Sequence, residues 1–177
     1  MDKKILVVVD MQNDFIDGAL GTAEAQAIIP DAVAHIQERK AQGYEMIATL
    51  DTHGEDYMNT AEGKKLPVPH CIRKTSGWEI NPQIREALGQ CTLVEKPSFG
   101  SLVLPGMIRD RLEGADSLTI ELMGLCTDIC VVSNAMILKA NFPEATLQVK
   151  GNCCAGVSVQ THEAALKTMG CCQIYVI

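Results

Sequence analysis

Ile5-Leu6-Val7-Val8-Val9, followed at once by Asp10 (ILVVVD), decides the fold class. Five consecutive apolar residues, four of them β-branched, leave no polar face for water. Such a run fits a strand covered on both sides, as in a parallel sheet with helices above and below. Downstream, Ala25 to Gln42 carries Ile28, Ile29, Ala32, Val33 and Ile36 at helical spacing and stops before Gly43, a residue suited to ending a helix. The alternation continues, with strands predicted at Glu45 to Leu50, Cys91 to Val94, Ser117 to Met123, Thr146 to Val149 and Cys172 to Val176. Helices are predicted at Pro82 to Leu88, Met107 to Leu112, Thr127 to Ala140 and Gln160 to Met169. Right-handed crossovers then give a three-layer α/β/α sandwich around a six-stranded, mainly parallel, Rossmann-like sheet. With no repeat, low-complexity tract or linker, residues 1–177 read as one domain.

Composition narrows the function classes. A chain of 177 residues that is 47% hydrophobic can bury a core without staples. A net charge of -7 and a pI near 5.0 argue against nucleic-acid or anionic-membrane partners, which such a surface would repel. No apolar stretch reaches the length of a membrane span, and the run after Met1-Asp2-Lys3-Lys4 is too short for a signal peptide, so the cytoplasm is the expected location. The eight cysteines are expected as thiols. Cys153-Cys154 and Cys171-Cys172 are adjacent pairs whose side chains point to opposite faces of a strand. They are therefore read as buried structural thiols, not chelators.

In an open parallel sheet, ligands bind beyond the carboxyl ends of the strands. The residues there are Asp10 after the first strand, Asp51 and His53 after the second, Lys96 after the third, and Cys126 to Cys130 after the fourth. The two long connections, 10–24 and 51–79, reach the same edge, and long loops in compact domains usually carry function. Thr127 or Asp128 would cap the helix that follows, leaving Cys130 in its first turn. There the helix dipole favours a thiolate, and Lys96 is the candidate cation that would lower the thiol pKa further. Pro97 forces Lys96 into an extended conformation. Asp10 is placed for general acid/base work, with burial and the Lys96 charge pulling its pKa in opposite directions. Singly, each residue has an ordinary explanation: cysteines on apolar helices are mostly core, and Asp or Lys at a strand end is mostly solvated. Their convergence on one sheet edge carries the functional reading.

Three segments then resemble a known family, the isochorismatase-like cysteine hydrolases, and within it the nicotinamidase/pyrazinamidase branch. Val8-Val9-Asp10-Met11-Gln12-Asn13-Asp14-Phe15 is similar to the opening motif with the catalytic Asp, and Glu95-Lys96-Pro97-Ser98-Phe99 to the segment with the catalytic Lys. Gly124-Leu125-Cys126-Thr127-Asp128-Ile129-Cys130-Val131 is similar to the turn whose last cysteine is the nucleophile. The resemblance covers essentially the whole chain and implies Asp10, Lys96 and Cys130 as catalytic residues. It also implies a cis peptide at Leu125-Cys126 and an oxyanion hole made by the backbone N–H groups of Cys126 and Cys130. Cys126, where relatives often carry a small residue, is not the expected nucleophile.

Relatives acting on isochorismate, ureidoacrylate or carbamoylsarcosine generally lack a metal site, whereas nicotinamidases resemble this chain at Asp51-Thr52-His53 and Pro69-His70-Cys71. Without the resemblance, Asp-x-His plus a distant His is a loose pattern. With it, Asp51, His53 and His70 are the expected ligands of one divalent ion, zinc foremost, with iron or manganese also suited to an O/N donor set. Glu62 is a further candidate ligand, and no organic cofactor is expected. Phe15, Trp78 and Leu125 are the expected pocket walls, with packing an equal explanation for the two aromatics. His35 and His162 are not placed for chemistry. The implied reaction is hydrolysis of nicotinamide to nicotinate and ammonia through a Cys130 thioester, a step in pyridine nucleotide salvage. A related hydrolase of another small amide or of isochorismate, a metal-hydroxide hydrolase, and a non-enzymatic thiol-rich redox or metal-binding protein remain open. The expected partner is a small amide, and the chain leaves a homo-oligomer open.

Overall fold

The computed structural model describes residues 2–177. In chain order its elements are β1 (Asp2–Val9), α1 (Asn13–Ile16), α2 (Ala23–Ala27), α3 (Ile29–Ala41), β2 (Glu45–Asp51), a 3₁₀ turn (Tyr57–Asn59) and α4 (Ala61–Lys65). They continue as α5 (Pro82–Leu88), β3 (Thr92–Lys96), α6 (Leu104–Arg109), β4 (Ser117–Leu125), a π-helical turn (Thr127–Val131), α7 (Val132–Asn141), β5 (Thr146–Ala155), α8 (Val159–Cys171) and β6 (Tyr175–Val176). The strands lie in the order β3-β2-β1-β4-β5-β6, and every pairing is parallel. The sheet is thus wholly parallel among the described residues, where the sequence suggested mainly parallel. One helical layer joins α2, α3 and α5; another joins α6, α7 and α8. Residues Ile5 to Val9 are at most 1% exposed, as an all-apolar central strand requires.

The chain leaves β1 toward β2 and β3 on one side, then returns to build β4, β5 and β6 on the other. This reversal opens a crevice at the carboxyl ends of β1 and β4. The register fixes what stands there. Val9 pairs with Thr49 and with Gly124, so Asp10 and Leu125 leave the sheet side by side, and Asp51 pairs directly with Lys96. Gly124 is what allows the close approach. A Cβ there would lie 2.1 Å from the Val9 carbonyl oxygen, and its φ of +123° is open to glycine far more readily than to other residues.

Several boundaries differ from the sequence expectation for identifiable reasons. The single helix expected over 25–42 is two, α2 and α3, because Pro30 has no N–H to continue the ladder and sits instead in the first turn of α3. The helix expected at 107–112 starts earlier, with Pro105 in its first turn and the Ser101 hydroxyl accepting the Leu104 N–H. α8 runs on to Cys171, leaving β6 only two residues. Cys171 and Cys172 are consequently exposed, against the expectation of burial, whereas Cys153 and Cys154 are buried; all eight cysteines are free. The sheet also encloses a charge: Glu121 of β4 is wholly buried against His35, Arg39 and Gln148, with Arg39 Nε 3.1 and 3.0 Å from its two oxygens. Burial opposes ionisation, but these partners hold its carboxyl below the usual range.

Candidate active site

Asp10, Lys96 and Cys130 meet at the crevice. Lys96 Nζ stands 2.6 Å from Asp10 Oδ2, 3.4 Å from Cys130 Sγ, 3.4 Å from Asp51 Oδ1 and 3.0 Å from the Ser98 carbonyl oxygen. Pro97 follows Lys96 directly, and the ammonium is 1% exposed. Asp10 adopts φ of +47°, immediately past the strand, and its Oδ1 accepts the Thr49 hydroxyl at 2.6 Å. Burial opposes a charge on Lys96, yet the carboxylate of Asp10 leads a set of anions that raises its pKa, so it stays an ammonium.

The expectation that dipole and cation would depress the Cys130 pKa is overturned. Burial, then the Asp10 carboxylate, push the thiol well above its ordinary value, with Lys96 pulling the other way. For Asp10 the contest left open by the sequence goes to burial, which raises its pKa against the attraction of Lys96. The Asp10 carboxyl and the Cys130 thiol share one ammonium, and the thiol can ionise without adding net charge if Asp10 takes the proton. The capping expectation also changes. The Thr127 hydroxyl bonds His162 Nδ1 and the Asp128 carboxylate accepts the Val157 N–H, so neither side chain caps the helix. Cys130 still lies in the first turn, which is π-helical, and the peptide Leu125-Cys126 is cis.

Beside the thiol lies a convergent donor set. One ligand atom each from Asp51, His53, Glu62 and His70 falls within 4.8 Å of the others, the arrangement a divalent metal ion needs. Asp51 Oδ2 is 3.0 Å from His53 Nε2 and 3.5 Å from His70 Nε2, while Glu62 Oε1 is 3.8 and 3.7 Å from the same nitrogens. The His70 Nδ1 faces the Val68 carbonyl at 2.8 Å, which fixes that nitrogen as donor and turns the Nε2 lone pair to the cluster. Tyr57 packs against both imidazoles, with centroids 4.7 and 5.0 Å away. Although burial disfavours its charge, hydrogen bonds from His53 and His70 and the Lys96 charge hold Asp51 well below the usual carboxylate range. Asp51 thus faces the histidines with one oxygen and Lys96 with the other.

A cavity of about 180 Å³ joins the two sets, lined by Asp51, Glu62 and His70 and by Cys126 and Cys130, with Phe15, Leu20, Leu66, Phe99, Ile129 and Val157 among its apolar walls. It is smaller than the ~300 Å³ at which pockets for drug-sized ligands begin, and fits a single-ring molecule. Phe15 lines it as expected; Trp78 and Leu125 do not. The Trp78 indole N–H is spent on Thr52 Oγ1 at 2.9 Å, and Leu125 is 1% exposed within the core.

Two residues that sequence reasoning passed over hold the site together. Gln12, fully buried, exchanges hydrogen bonds with the Asp51 backbone at 2.9 and 2.8 Å and donates to the Trp78 carbonyl at 2.8 Å, tying the ends of β1 and β2 to the long loop. Asn134 donates to the carbonyls of Cys130 and Phe99 at 2.8 and 3.2 Å and accepts the Ser101 N–H at 2.9 Å, joining the thiol's helix to the Lys96 loop. The available signal for Asn134 was an amide four residues after Cys130, one helical turn on and on the same face. The cysteines outside the cavity assemble no such centre, and among the described residues the one potential metal cluster contains no thiol.

Known proteins share this sequence pattern and fold. The chain is 26% identical over 180 residues to the nicotinamidase/pyrazinamidase of Mycobacterium tuberculosis, covering 94% of each. It superposes on the crystal structure of the pyrazinamidase/nicotinamidase from Streptococcus mutans with a TM-score of 0.83 and 26% identity, over 99% of this chain and 100% of that one. The Pyrococcus horikoshii pyrazinamidase, solved in complex with zinc, shares the fold at a TM-score of 0.80 and 24% identity, covering 99% and 98%. The model of the isochorismatase domain matches residues 4–177, and the chain belongs to the isochorismatase family.

Proposed function

We propose that the protein is a nicotinamidase, a cysteine amidohydrolase that converts nicotinamide to nicotinate and ammonia. The observation that carries this reading is that a single small cavity is lined both by the Cys130 thiol and by the Asp51, Glu62 and His70 donors. The relatives of similar length named nicotinamidase or pyrazinamidase support the substrate class.

The steps follow from the groups present. Asp10 accepts the thiol proton, and the resulting Cys130 thiolate is held by the Lys96 ammonium at 3.4 Å. Sγ attacks the amide carbon; the carbonyl π pair moves to oxygen, which the N–H groups of Cys126 and Cys130 receive. The C–N bond then breaks as Asp10 returns its proton to the nitrogen, and ammonia leaves. Asp10 next takes a proton from water as its oxygen adds to the thioester; the C–S bond then breaks, the acid leaves, and Asp10 returns the proton to the Cys130 sulfur. The donor set of Asp51, His53, Glu62 and His70 suits a divalent ion such as zinc, iron or manganese, and a bound ion would supply a Lewis-acid contact for a ring nitrogen. The apolar walls exclude water and stack the ring.

Ammonia release from nicotinamide by the metal-supplied protein tests the reading, with loss in Cys130→Ala as the expected control. Ammonia release from aliphatic amides alone, or pyruvate release from isochorismate alone, would replace nicotinamide as substrate. Full activity in Cys130→Ala would overturn the thioester route.

A further inference from the structure

The turn between the cis peptide and the nucleophile is braced from outside by the start of α8. Thr127 is wholly buried, and its hydroxyl meets His162 Nδ1 at 2.7 Å. One residue on, the Asp128 carboxylate receives the Val157 N–H at 3.2 Å from either oxygen. The brace is itself rigid. Ser158 and Thr161 form a reciprocal cap, with the Ser158 hydroxyl accepting the Thr161 N–H at 3.2 Å and Thr161 Oγ1 accepting the Ser158 N–H at 3.1 Å. Gly156 packs so tightly under His162 that a Cβ there would lie 2.9 Å from both its Cβ and its backbone nitrogen. On its inner side the turn closes on itself, with the Ile129 and Val131 N–H groups on the Cys126 carbonyl at 3.1 and 3.0 Å.

We infer that His162 is a positioning residue for the reaction: by holding Thr127 it fixes the peptide that presents the Cys126 and Cys130 N–H groups to the reacting oxygen. The inference rests on the reading of Cys130 as nucleophile. His162 does not line the substrate cavity and touches no reacting atom. Its contribution should therefore fall on the transition state, where the oxygen carries charge, and not on ground-state binding. The two ties divide the labour: Asp128 holds Val157, a wall of the cavity, while His162 holds the turn itself.

The test uses the full chain supplied with zinc, nicotinamide as substrate, and pyridine-3-carbaldehyde as probe. The aldehyde captures the thiol as a hemithioacetal: the S–C bond forms and the carbonyl oxygen, lodged in the oxyanion site, takes the proton. His162→Ala should lower kcat on the order of tenfold, less than the ~10²–10³ that loss of a whole oxyanion donor costs because the N–H groups are loosened and not removed, with KM nearly unchanged. Aldehyde affinity should fall by the same factor. His162→Asn, which sets an amide oxygen near the Nδ1 position, should restore most of both. Thr127→Val should reproduce the His162→Ala loss, and the double variant should lose little more, because the two side chains act as one unit. Matching melting temperatures identify folded variants, and His162→Asn and Thr127→Val decide the question if His162→Ala does not fold. Equal kcat in wild type and His162→Ala overturns the inference. So does a rise in KM without a fall in kcat, or a His162→Asn protein as impaired as His162→Ala. If wild type captures the aldehyde at Cys130 but releases no ammonia from nicotinamide, the substrate reading fails, and the aldehyde affinities still decide the role of His162.

Discussion

Lys96→Met removes one ammonium and keeps a side chain of similar length, which makes its cost calculable. Lys96 Nζ faces Cys130 Sγ at 3.4 Å, and at an effective dielectric of ~20 a thiolate there gains about 5 kcal/mol, equivalent to 10³–10⁴ in the ionisation equilibrium. The sign is fixed by the surroundings: burial and Asp10 already push the thiol pKa up, and the Lys96 ammonium pulls it down. Without the ammonium the thiol should remain protonated across neutral pH, with Asp10 and Asp51 left as close carboxylates and no shared cation. The expected result is a loss of about 10³-fold in kcat and of several kcal/mol in stability, as when a buried pair is broken from one side. Two measurements read it: ammonia release, and the pH dependence of Cys130 alkylation by iodoacetamide with the site located by peptide mass. Alkylation of Cys130 should need a higher pH in the variant than in wild type. If Lys96→Met alkylates with the wild-type profile and keeps activity within tenfold, the ion-pair argument for the nucleophile is wrong.

Other outcomes follow from individual contacts. His70→Ala should lower the zinc retained after dialysis, measured by elemental analysis, and raise KM for nicotinamide far more than it slows Cys130 alkylation, since His70 belongs to the donor set and not to the thiol's contacts. Trp78→Phe should leave KM near the wild-type value while lowering stability by about 1 kcal/mol in denaturant melts, because the indole N–H serves Thr52 outside the cavity. A large rise in KM would return Trp78 to the pocket wall. Glu121→Gln should cost about 2 kcal/mol at pH 7, where the wild-type carboxylate is charged and bonded to His35, Arg39 and Gln148. Because the folded-state pKa of Glu121 lies below its usual value, that advantage is present above about pH 4.3 and lost as pH falls through the folded value. Melts of both proteins from pH 7 to pH 3 should therefore converge, and a gap that widens with acid would contradict the assignment.

Much of this molecule is written in one dimension. The apolar run Ile5 to Val9 and the alternation after it determine a parallel sheet, because strand and helix periods depend on neighbours in the chain. The rule that parallel strands present their carboxyl ends to ligands then selects Asp10, Asp51, Lys96 and Cys130 without coordinates. What only the tertiary structure decided depends on distances between segments far apart in sequence. Trp78 turns its indole to Thr52, Gln12 and Asn134 become clamps, and His162 reaches the nucleophile turn because β5 and α8 bring it there. The protonation of the site belongs to the same class. The sequence places a thiol near a helix start and a lysine, but burial raises the thiol pKa, since removing charges from water outweighs a helix dipole screened within a turn. Order along the chain determines which groups reach the edge; the folded dielectric and geometry decide which of them holds the proton.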